Sequence, residues 1–412
     1  MRSVCIKSQV SGGVMMRAGS GKTLLELSDS LFPIENFRYL HDELACRVII
    51  LEQQETFVFV SIDLTSLQEY AIEAIKKEVG RKYAVPLEHI FISVTHTFSA
   101  PHTRSIEALK RSSAQIQEKN KLFLKSILAA VAGAVEEAIK TLQRIKIIGQ
   151  TTKTDATINR DVEQAEGYWI GRNPEGFSDG TVSILKFVTE SQELLAVIYS
   201  MDVQSSLVET MDKEAVSSDF IGSVSKCIED NFNCPALFML GAAADQVPRM
   251  PSKDFQELVQ QASELGNVII RTLNQEIGES NEQISLGKVV MTVKGQEFPD
   301  RKELNPTRNY KFISSTDREV VIYLLTFGEA VIVMMKPEIT SIIGSQIRAR
   351  SPYKTTLVAT MINGGQKYMA DEESYQKCTY EAMNSMFACG SAEVICTKVI
   401  EELAKKEVKK CM

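Results

Sequence analysis

Apolar residues along this chain fall into short continuous runs separated by longer stretches with helical periodicity. The runs are rich in β-branched and aromatic residues and have the length of strands, and two of them flank a Gln-Gln-Glu turn as in a hairpin. The predicted strands are 45–51, 57–63, 90–95, 145–151, 181–188, 194–201, 236–241, 319–326, 330–335 and 355–361. The predicted helices are 66–80, 104–142, 218–231, 253–276, 337–349 and 390–408. This alternation predicts an α/β fold in which mixed β-sheets, either one or two packed together, are covered by helices.

No stretch of the chain has the composition of a linker between domains. The region 277–318 is polar and rich in turn residues, but it is not a connector rich in Pro, Gly or Ser. Hydrophobic residues make up 44% of the 412 positions and charged residues 24%, which is typical of a well-packed protein. We therefore expect a single domain over residues 1–412.

Charge and cysteine usage exclude several classes of function. A net charge of −7 argues against the basic face that nucleic-acid binding needs. The most apolar long window, 122–142, contains charged residues, so no transmembrane segment is predicted. The amino terminus lacks the apolar core of a secretory signal, and the eight cysteines form no CxxC pair. We expect a cytoplasmic protein with reduced thiols that takes a small-molecule substrate or ligand, and its oligomeric state stays open.

Two of the four histidines lie in one short segment, 90–103. The predicted strand 90–95 leads directly into a loop that contains His96, Ser99 and His102. Many α/β enzymes place a metal ligand or a proton carrier at the carboxyl edge of a sheet in this way. A surface histidine beside a proline turn is the simpler alternative, and the segment alone does not decide between the two.

The segment Ala18 to Thr23, Ala-Gly-Ser-Gly-Lys-Thr, is similar to part of a phosphate-binding loop. Such a loop needs a glycine five residues before the glycine of Gly-Lys-Thr, so that backbone amides can surround the phosphates. Met16 occupies that position, and no hydrophobic strand leads into the segment. Nucleotide-driven hydrolysis is therefore the weakest of the functional hypotheses.

Several separated segments together resemble the neutral, non-lysosomal ceramidase family, specifically its amino-terminal catalytic domain. Residues 95–101, Thr-His-Thr-Phe-Ser-Ala-Pro, are similar to the family's Thr-His-Thr-His-Ser-Gly-Pro, and 241–249 to its Gly-Ala-Ala-Gly-Asp-x-x-Pro. Shorter segments similar to family motifs follow the family's order at 18–22, 159–160, 171–176, 217–222, 327–329, 363–368 and 380–381. The resemblance therefore covers nearly the whole chain.

Ceramidases of this family are zinc amidases, so the resemblance implies a divalent metal site. It places the metal ligands at His96, Glu329 and Tyr368, with Asp202 where the family has a second histidine. One nitrogen and three oxygen ligands weaken the preference for zinc and admit magnesium, manganese or no metal. Each residue has an ordinary structural alternative: Asp202 could cap a turn, Glu329 could sit in a hairpin turn, and Tyr368 could be a half-buried tyrosine.

The resemblance also implies catalytic residues, together with two losses. It places Arg160 at the substrate cleft, where it would stabilise developing negative charge, and Asp245 at a strand end after four small residues. The chain has Phe98 and Val247 where the family has an imidazole and a hydroxyl group, and neither can carry a proton. His102 is a candidate to replace the missing imidazole.

Two functions follow from these observations. The first is a ceramidase-like metal-dependent hydrolase with a degenerate site, acting on an amide or related bond of a substrate other than ceramide. The alternative is a non-catalytic descendant that keeps the fold and the pocket and binds a ligand.

Overall fold

The computed structural model describes residues 15–275 and 283–411, with side chains up to residue 405. Its strands are β1 (Arg17–Leu24), β2 (Tyr39–Leu40), β3 (Ala45–Glu52), β4 (Thr56–Ile62), β5 (Ile90–Val94), β6 (Gln143–Lys153), β7 (Thr157–Glu163), β8 (Tyr168–Asn173), β9 (Thr181–Thr189), β10 (Leu194–Met201), β11 (Ala215–Val216), β12 (Ala236–Leu240), β13 (Gln246–Pro248), β14 (Ile284–Gln296), β15 (Ser314–Phe327), β16 (Ala330–Met335), β17 (Glu338–Ile339), β18 (Thr355–Ala359) and β19 (Tyr368–Met369). Its helices are α1 (Glu69–Lys82), α2 (Ile106–Lys110), α3 (Ala114–Lys140), α4 (Val208–Met211), α5 (Asp219–Phe232), α6 (Phe255–Leu273), α7 (Ser341–Arg350), α8 (Glu372–Lys377), α9 (Tyr380–Met383) and α10 (Ser391–Cys411).

Two mixed sheets pack face to face and are covered by helices on both outer faces. The larger sheet has eight strands in the order β12-β10-β9-β6-β1-β3-β4-β5, and the smaller has four in the order β14-β15-β16-β18. The outer face of the larger sheet packs against α1, α3, α5 and α6, and that of the smaller sheet against α7 and α10. The predicted α/β fold with two mixed sheets is confirmed.

The continuous apolar runs arise because the central strands are buried on both faces. In β3, Val48 and Ile50 belong to the core under the helices, whereas Ile49 and Leu51 belong to the core between the two sheets. Alternate residues of a strand point to opposite faces, so a strand between two apolar layers needs an apolar residue at every position. This is why these strands could be predicted from their sequence.

The segment similar to a phosphate-binding loop is the strand β1. A Cβ atom on Gly19 would lie 1.9 Å from the carbonyl oxygen of Ala138, and one on Gly21 would lie 2.1 Å from that of Ala134. Both carbonyls belong to α3, so the two glycines let this helix pack directly on the strand. Their role in the fold is close packing, which accounts for the motif without a phosphate.

The elements that the sequence did not predict are the less apolar ones. β1, β7, β8 and β14 were not predicted, and the predicted helix 104–142 divides into α2 and α3. β14 lies at the edge of the smaller sheet, and its inward side chains are only partly buried, so it carries no continuous apolar run. The segment 337–341 also differs, because α7 begins at Ser341 and Glu338 lies in β17 instead.

The cysteines described are free thiols: Cys46, Cys227, Cys234, Cys378, Cys389 and Cys396. The side chains of Cys5, Cys411 and the lysines after Lys405 lie outside the described part of the chain, as do the amino-terminal segment 1–14 and residues 276–282. Within the described residues, no helix is both long enough and apolar enough to span a membrane.

Candidate functional site

Three segments that directly follow strands bring their side chains together. His96 follows β5, Gln204 follows β10, and Glu338 follows β16. A parallel bridge between Thr97 and Ser205 joins the first two of these segments. The carboxyl ends of strands are where α/β sheets commonly carry their sites.

His96 is buried, and the orientation of its ring is fixed. Its Nδ1 lies 2.6 Å from the carbonyl oxygen of Thr65. Because a carbonyl oxygen can only accept, Nδ1 carries the proton, and Nε2 of the neutral ring has the free lone pair. This Nε2 has no hydrogen-bond partner among the described residues, and it faces Oε2 of Glu338 at 3.8 Å. Two acceptor atoms therefore face each other in a buried site.

Gln204 connects Glu338 to Arg160. Its Nε2 donates to Oε1 of Glu338 at 2.7 Å, and its Oε1 accepts from Nη1 of Arg160 at 2.5 Å. The network fixes which end of the amide is which, because a guanidinium only donates and a carboxylate only accepts. Gln204 is 1% exposed, so water does not compete for these bonds.

Arg160, in β7, is buried between a carboxylate and two phenol rings. Its Nε donates to Oε1 of Glu381 at 2.7 Å. Its Cζ lies 5.4 Å from the ring centre of Tyr368 and 5.8 Å from that of Tyr380. Burial lowers the pKa of Arg160, but the charge of Glu381 and the neighbouring Tyr368 outweigh burial and raise this pKa well above its ordinary value. The site therefore contains a fixed positive charge.

Asp161 and Glu381 are two buried carboxyl groups beside that charge. Burial, and then the charge of Glu381, raise the pKa of Asp161 well above its ordinary value. Arg160 opposes this rise, but its guanidinium is already paired with Glu381. The charged form of Asp161 is therefore disfavoured in the folded protein, because it would lie buried beside the charge of Glu381.

The rings of Trp169, Tyr368 and Tyr380 form an aromatic wall beside Arg160. The ring centres of Trp169 and Tyr380 are 5.4 Å apart, and those of Tyr368 and Tyr380 are 5.8 Å apart. Tyr368 pairs with Glu338 in the short parallel ladder of β17 and β19, which places the phenol next to the carboxylate. As whole residues, Trp169, Tyr368 and Tyr380 are each only partly buried.

Asp245 supports the site from behind. Its Oδ1 accepts from the backbone N of Ser341 at 2.7 Å, and its Oδ2 accepts from Ser341 Oγ at 2.8 Å and from Asn159 Nδ2 at 3.0 Å. Its carbonyl oxygen accepts from the backbone N of Arg160 at 2.8 Å. Burial raises the pKa of Asp245 to about 7. Asp245 thus holds the segment after Glu338 against the strand that carries Arg160.

Asp202, predicted as a metal ligand, lies in a buried ion pair. Arg348 donates to both of its carboxylate oxygens, and the backbone N of Ala242 donates to Oδ1 at 2.8 Å. Arg348 also pairs with Asp179. The oxygens of Asp202 are therefore committed to a buried ion pair, and the nearby Gln204 reaches the site instead.

Glu329 is not brought to this site either. It lies in the exposed turn between β15 and β16, where its carboxylate pairs with Lys354 at 2.8 Å. Glu338 lies beyond the opposite end of β16, six residues long, which separates the two carboxylates by roughly 20 Å at ~3.3 Å per residue. The carboxylate beside His96 is that of Glu338.

His102 and the two residues that replace proton carriers have other surroundings. His102 is half exposed, and its Nδ1 lies 2.9 Å from Oε2 of Glu35, away from the buried group around His96. Phe98 packs edge-on against His96, with ring centres 4.8 Å apart. Val247 is buried in β13, opposite Ile158 of β7. No second imidazole lies next to His96 among the described residues, because His41 and His89 also have partners elsewhere.

The residues around His96 can be tested for a metal site. Within the described residues, no group of three or more His, Cys, Asp or Glu side chains is close enough to hold a metal ion. The facing Nε2 of His96 and Oε2 of Glu338 are too far apart for a hydrogen bond and close enough to be ligands of one small cation. Tyr368, paired with Glu338 in the β17–β19 ladder, is the residue that would supply a third ligand, whereas both ends of the Gln204 amide are committed to Glu338 and Arg160.

Glu338 and Gln204 are the site residues that sequence reasoning missed. The signal for Glu338 was present, because Pro337-Glu338 directly follows a buried apolar run, just as His96 does. A proline followed by an acidic residue is also typical of a helix start, so the sequence pattern predicts a helix here. Gln204 follows the run 194–201 by three residues, and nothing in the sequence distinguishes it from Asp202.

Comparison with known proteins identifies the fold. A structure of a ceramidase complexed with C2 matches 96% of this chain and 76% of its own, with a TM-score of 0.71 and 15% identity. Neutral ceramidase from Pseudomonas aeruginosa matches 96% of this chain and 75% of its own, with a TM-score of 0.70 and 16% identity. The chain has the fold of neutral ceramidases. The resemblance inferred from the ordered motifs is thus confirmed at the level of the ceramidase fold.

Sequence comparison alone finds no such relationship. No protein-family model matches the chain, and no curated protein matches it either. The ceramidase fold is therefore shared at a sequence identity too low to carry residue roles by alignment.

Proposed function

We propose that this protein is a metal-dependent amide hydrolase with the ceramidase fold, whose site consists of His96, Glu338, Tyr368 and Arg160. The observation that carries the proposal is the buried pair of facing acceptors, Nε2 of His96 and Oε2 of Glu338, 3.8 Å apart beside a fixed arginine. Such an arrangement is unfavourable for its own sake, because it leaves a buried lone pair unsatisfied. It is useful if a cation is held there.

His96, Glu338 and Tyr368 would hold the metal, zinc by resemblance, with magnesium or manganese as alternatives. A bound metal would polarise a carbonyl oxygen and lower the pKa of a water molecule. Thr65 keeps the proton of His96 on Nδ1, and Gln204 holds Glu338 in place. Arg160 keeps a positive charge beside the phenol of Tyr368, where it would stabilise negative charge on a reacting oxygen.

The substrate is proposed to differ from ceramide. Phe98 occupies the position of an imidazole in the resembling motif and fills the space against His96 with a ring that carries no proton. Val247 is likewise unable to donate a hydrogen bond. Losing one proton carrier typically costs ~10²–10⁴ in rate. We therefore propose a substrate other than ceramide, whose scissile bond can be cleaved without this proton carrier.

Metal content tests the assignment of residues. Purified protein is stripped with a chelator, reloaded separately with zinc, manganese and magnesium, and analysed by mass spectrometry. We expect one tightly bound ion per chain, lost in Glu338→Gln and His96→Ala. Glu329→Gln is the matched control, because it removes a carboxylate at the other end of β16. Loss of metal in Glu329→Gln with retention in Glu338→Gln would overturn the assignment.

Turnover tests the reaction. The metal-loaded protein is incubated with a panel of acyl amides and with a short-chain fluorescent ceramide. We expect release of acid from some of the amides and no release from ceramide above a control without enzyme. Tight ligand binding with no turnover of any amide would favour the non-catalytic alternative. The hydrogen bond from Gln204 to Glu338 also supports this alternative, because it occupies one carboxylate oxygen with a structural contact.

A further inference from the structure

Lys367 stands directly beside the proposed site and is held there by its backbone. It precedes Tyr368, and its carbonyl oxygen accepts from the backbone N of Glu338 at 3.0 Å. Its φ of 60° lies in the left-handed region, which is uncommon for a lysine and costs energy. The backbone of Lys367 is thus tied to Glu338 and leads directly into Tyr368.

The amine of Lys367 has no carboxylate in salt-bridge contact among the described residues, although the charge of Glu338 acts on it. Its Nζ lies 5.5 Å from the ring centre of Phe298, which is itself 43% exposed. No ion pair or hydrogen bond of this amine occurs among the residues described. Burial, and then the charge of Arg301, lower the pKa of Lys367 below its ordinary value, and the charge of Arg301 also acts on Tyr380 of the aromatic wall. Arg301 has no acidic partner either within the described residues.

This local positive charge does not follow from the composition of the protein. The chain carries a net charge of −7, and exposed lysines such as Lys354 lie against a carboxylate. Arg160 is buried and paired with Glu381, whereas Lys367 and Arg301 are exposed. Two unpaired cations at the rim of an otherwise acidic protein create a local field that attracts an anion.

We propose that the substrate is an amide that carries an anionic group, such as an N-acylated amino acid, and that Lys367 and Arg301 bind this group. The proposal rests on the proposed function, because it assumes that the amide reaches His96 and Glu338. The aromatic wall of Trp169, Tyr368 and Tyr380 offers an apolar surface for the rest of the substrate. Lys367 and Arg301 are then residues that determine specificity and take no part in the reaction.

Trp169 provides a direct measurement of binding. It is the single tryptophan of the chain and belongs to the aromatic wall, so its fluorescence reports on ligand at the site. The probes are N-octanoylglycine, which carries a carboxylate, and its methyl ester, which does not. They are titrated into the metal-loaded full-length protein and into the variants Lys367→Gln, Arg301→Gln and Lys354→Gln. Lys354 is the control, because it is an exposed lysine at the far end of β16.

We expect the carboxylate probe to bind more tightly than the ester. Lys367→Gln and Arg301→Gln should each weaken its binding about tenfold, equivalent to about 1.4 kcal/mol, and leave ester binding unchanged. Lys354→Gln should change neither, and added salt should reduce the preference for the carboxylate. Equal affinity for the two probes, no binding of either, or an equal loss in Lys354→Gln would overturn the proposal.

Hydrolysis distinguishes this proposal from the function on which it rests. If the carboxylate is preferred in binding but no amide is cleaved, the proposed hydrolase function fails, and the specificity of the site stands. If neutral and anionic amides are cleaved equally well, the hydrolase function stands, and the role of Lys367 and Arg301 is wrong.

Discussion

His96 and Glu338 face each other across 3.8 Å with two acceptor atoms, Nε2 and Oε2, in a site from which solvent is excluded. The tautomer of His96 is fixed by the carbonyl of Thr65, so the ring cannot relieve the contact by moving its proton. Like partial charges at this distance in a buried site repel, and a cation or an added donor would remove the repulsion.

Glu338→Gln should therefore stabilise the metal-free protein while it weakens metal binding. The new amide keeps an oxygen for Gln204 and offers an N–H to Nε2 of His96, so one hydrogen bond replaces a repulsion. We expect the free energy of unfolding to rise by about 1 kcal/mol, measured by denaturant unfolding in the presence of a chelator. Glu329→Gln should leave it unchanged. A loss of stability in Glu338→Gln would show that the two acceptors do not oppose each other.

Gln204→His should strengthen metal binding, because it adds an imidazole where the amide now lies next to Glu338. We expect a gain in zinc affinity of about tenfold or more, measured by competition with a chelator of known affinity. Asp202→His is the contrasting variant. It removes a partner of Arg348 from a buried ion pair, so it should cost about 3–5 kcal/mol of stability and give no gain in affinity. Tighter zinc binding by Asp202→His would show that position 202, rather than position 204, lies within reach of the metal.

The carboxyl pair of Asp161 and Glu381 should make stability depend on pH. The pKa of Asp161 is raised by burial and by Glu381, so the folded protein keeps a proton that the unfolded chain releases. Stability is then fully present below the ordinary pKa of 3.8 and falls as pH rises toward the raised value, by about 1.4 kcal/mol per pH unit within that window.

Asp161→Asn has no proton to lose at this position, so its stability should fall less steeply with pH. When the free energy of unfolding of both proteins is measured from pH 5 upward, that of the variant should rise relative to that of the wild type. Asp317→Asn changes an exposed ion pair with Lys294, so its stability should depend on pH in the same way as that of the wild type. A constant difference between wild type and Asp161→Asn would mean that Asp161 is ionised in the folded protein.

Gly21→Ala should destabilise the fold without any effect attributable to a nucleotide. The added Cβ would meet the carbonyl oxygen of Ala134 at 2.1 Å, a backbone atom of α3 that cannot move aside alone. We expect a loss of at least about 1–3 kcal/mol in thermal or denaturant unfolding. Gly80→Ala in α1 meets only the flexible end of Leu87, at 3.2 Å, and should be neutral or stabilising. Added ATP should shift the unfolding of neither protein.

Sequence patterns predicted the interior of the fold better than its edges. Four strands are buried on both faces: β3, β4, β5 and β10. Nearly every residue in them faces an apolar environment, so each strand appears in the sequence as a continuous apolar run. β1 was not predicted because its sequence, Arg-Ala-Gly-Ser-Gly-Lys-Thr-Leu, contains no apolar run: its two glycines pack against α3, and most other positions are polar. The residues of β1 are selected for packing against α3. Part of what makes this segment a strand therefore lies in the sequence of the helix and cannot be read from β1 alone.

For the site, the sequence by itself determined the fold resemblance and the strand that delivers His96, because both depend on local runs and ordered motifs. It did not determine which of two glutamates at the ends of β16, Glu329 or Glu338, faces this histidine. Only the tertiary structure decided that, since the two lie nine residues apart in sequence and differ in which end of the strand meets β5 and β10. It likewise decided between Asp202 and Gln204, because the partner that claims Asp202, Arg348, comes from a helix 146 residues away along the chain.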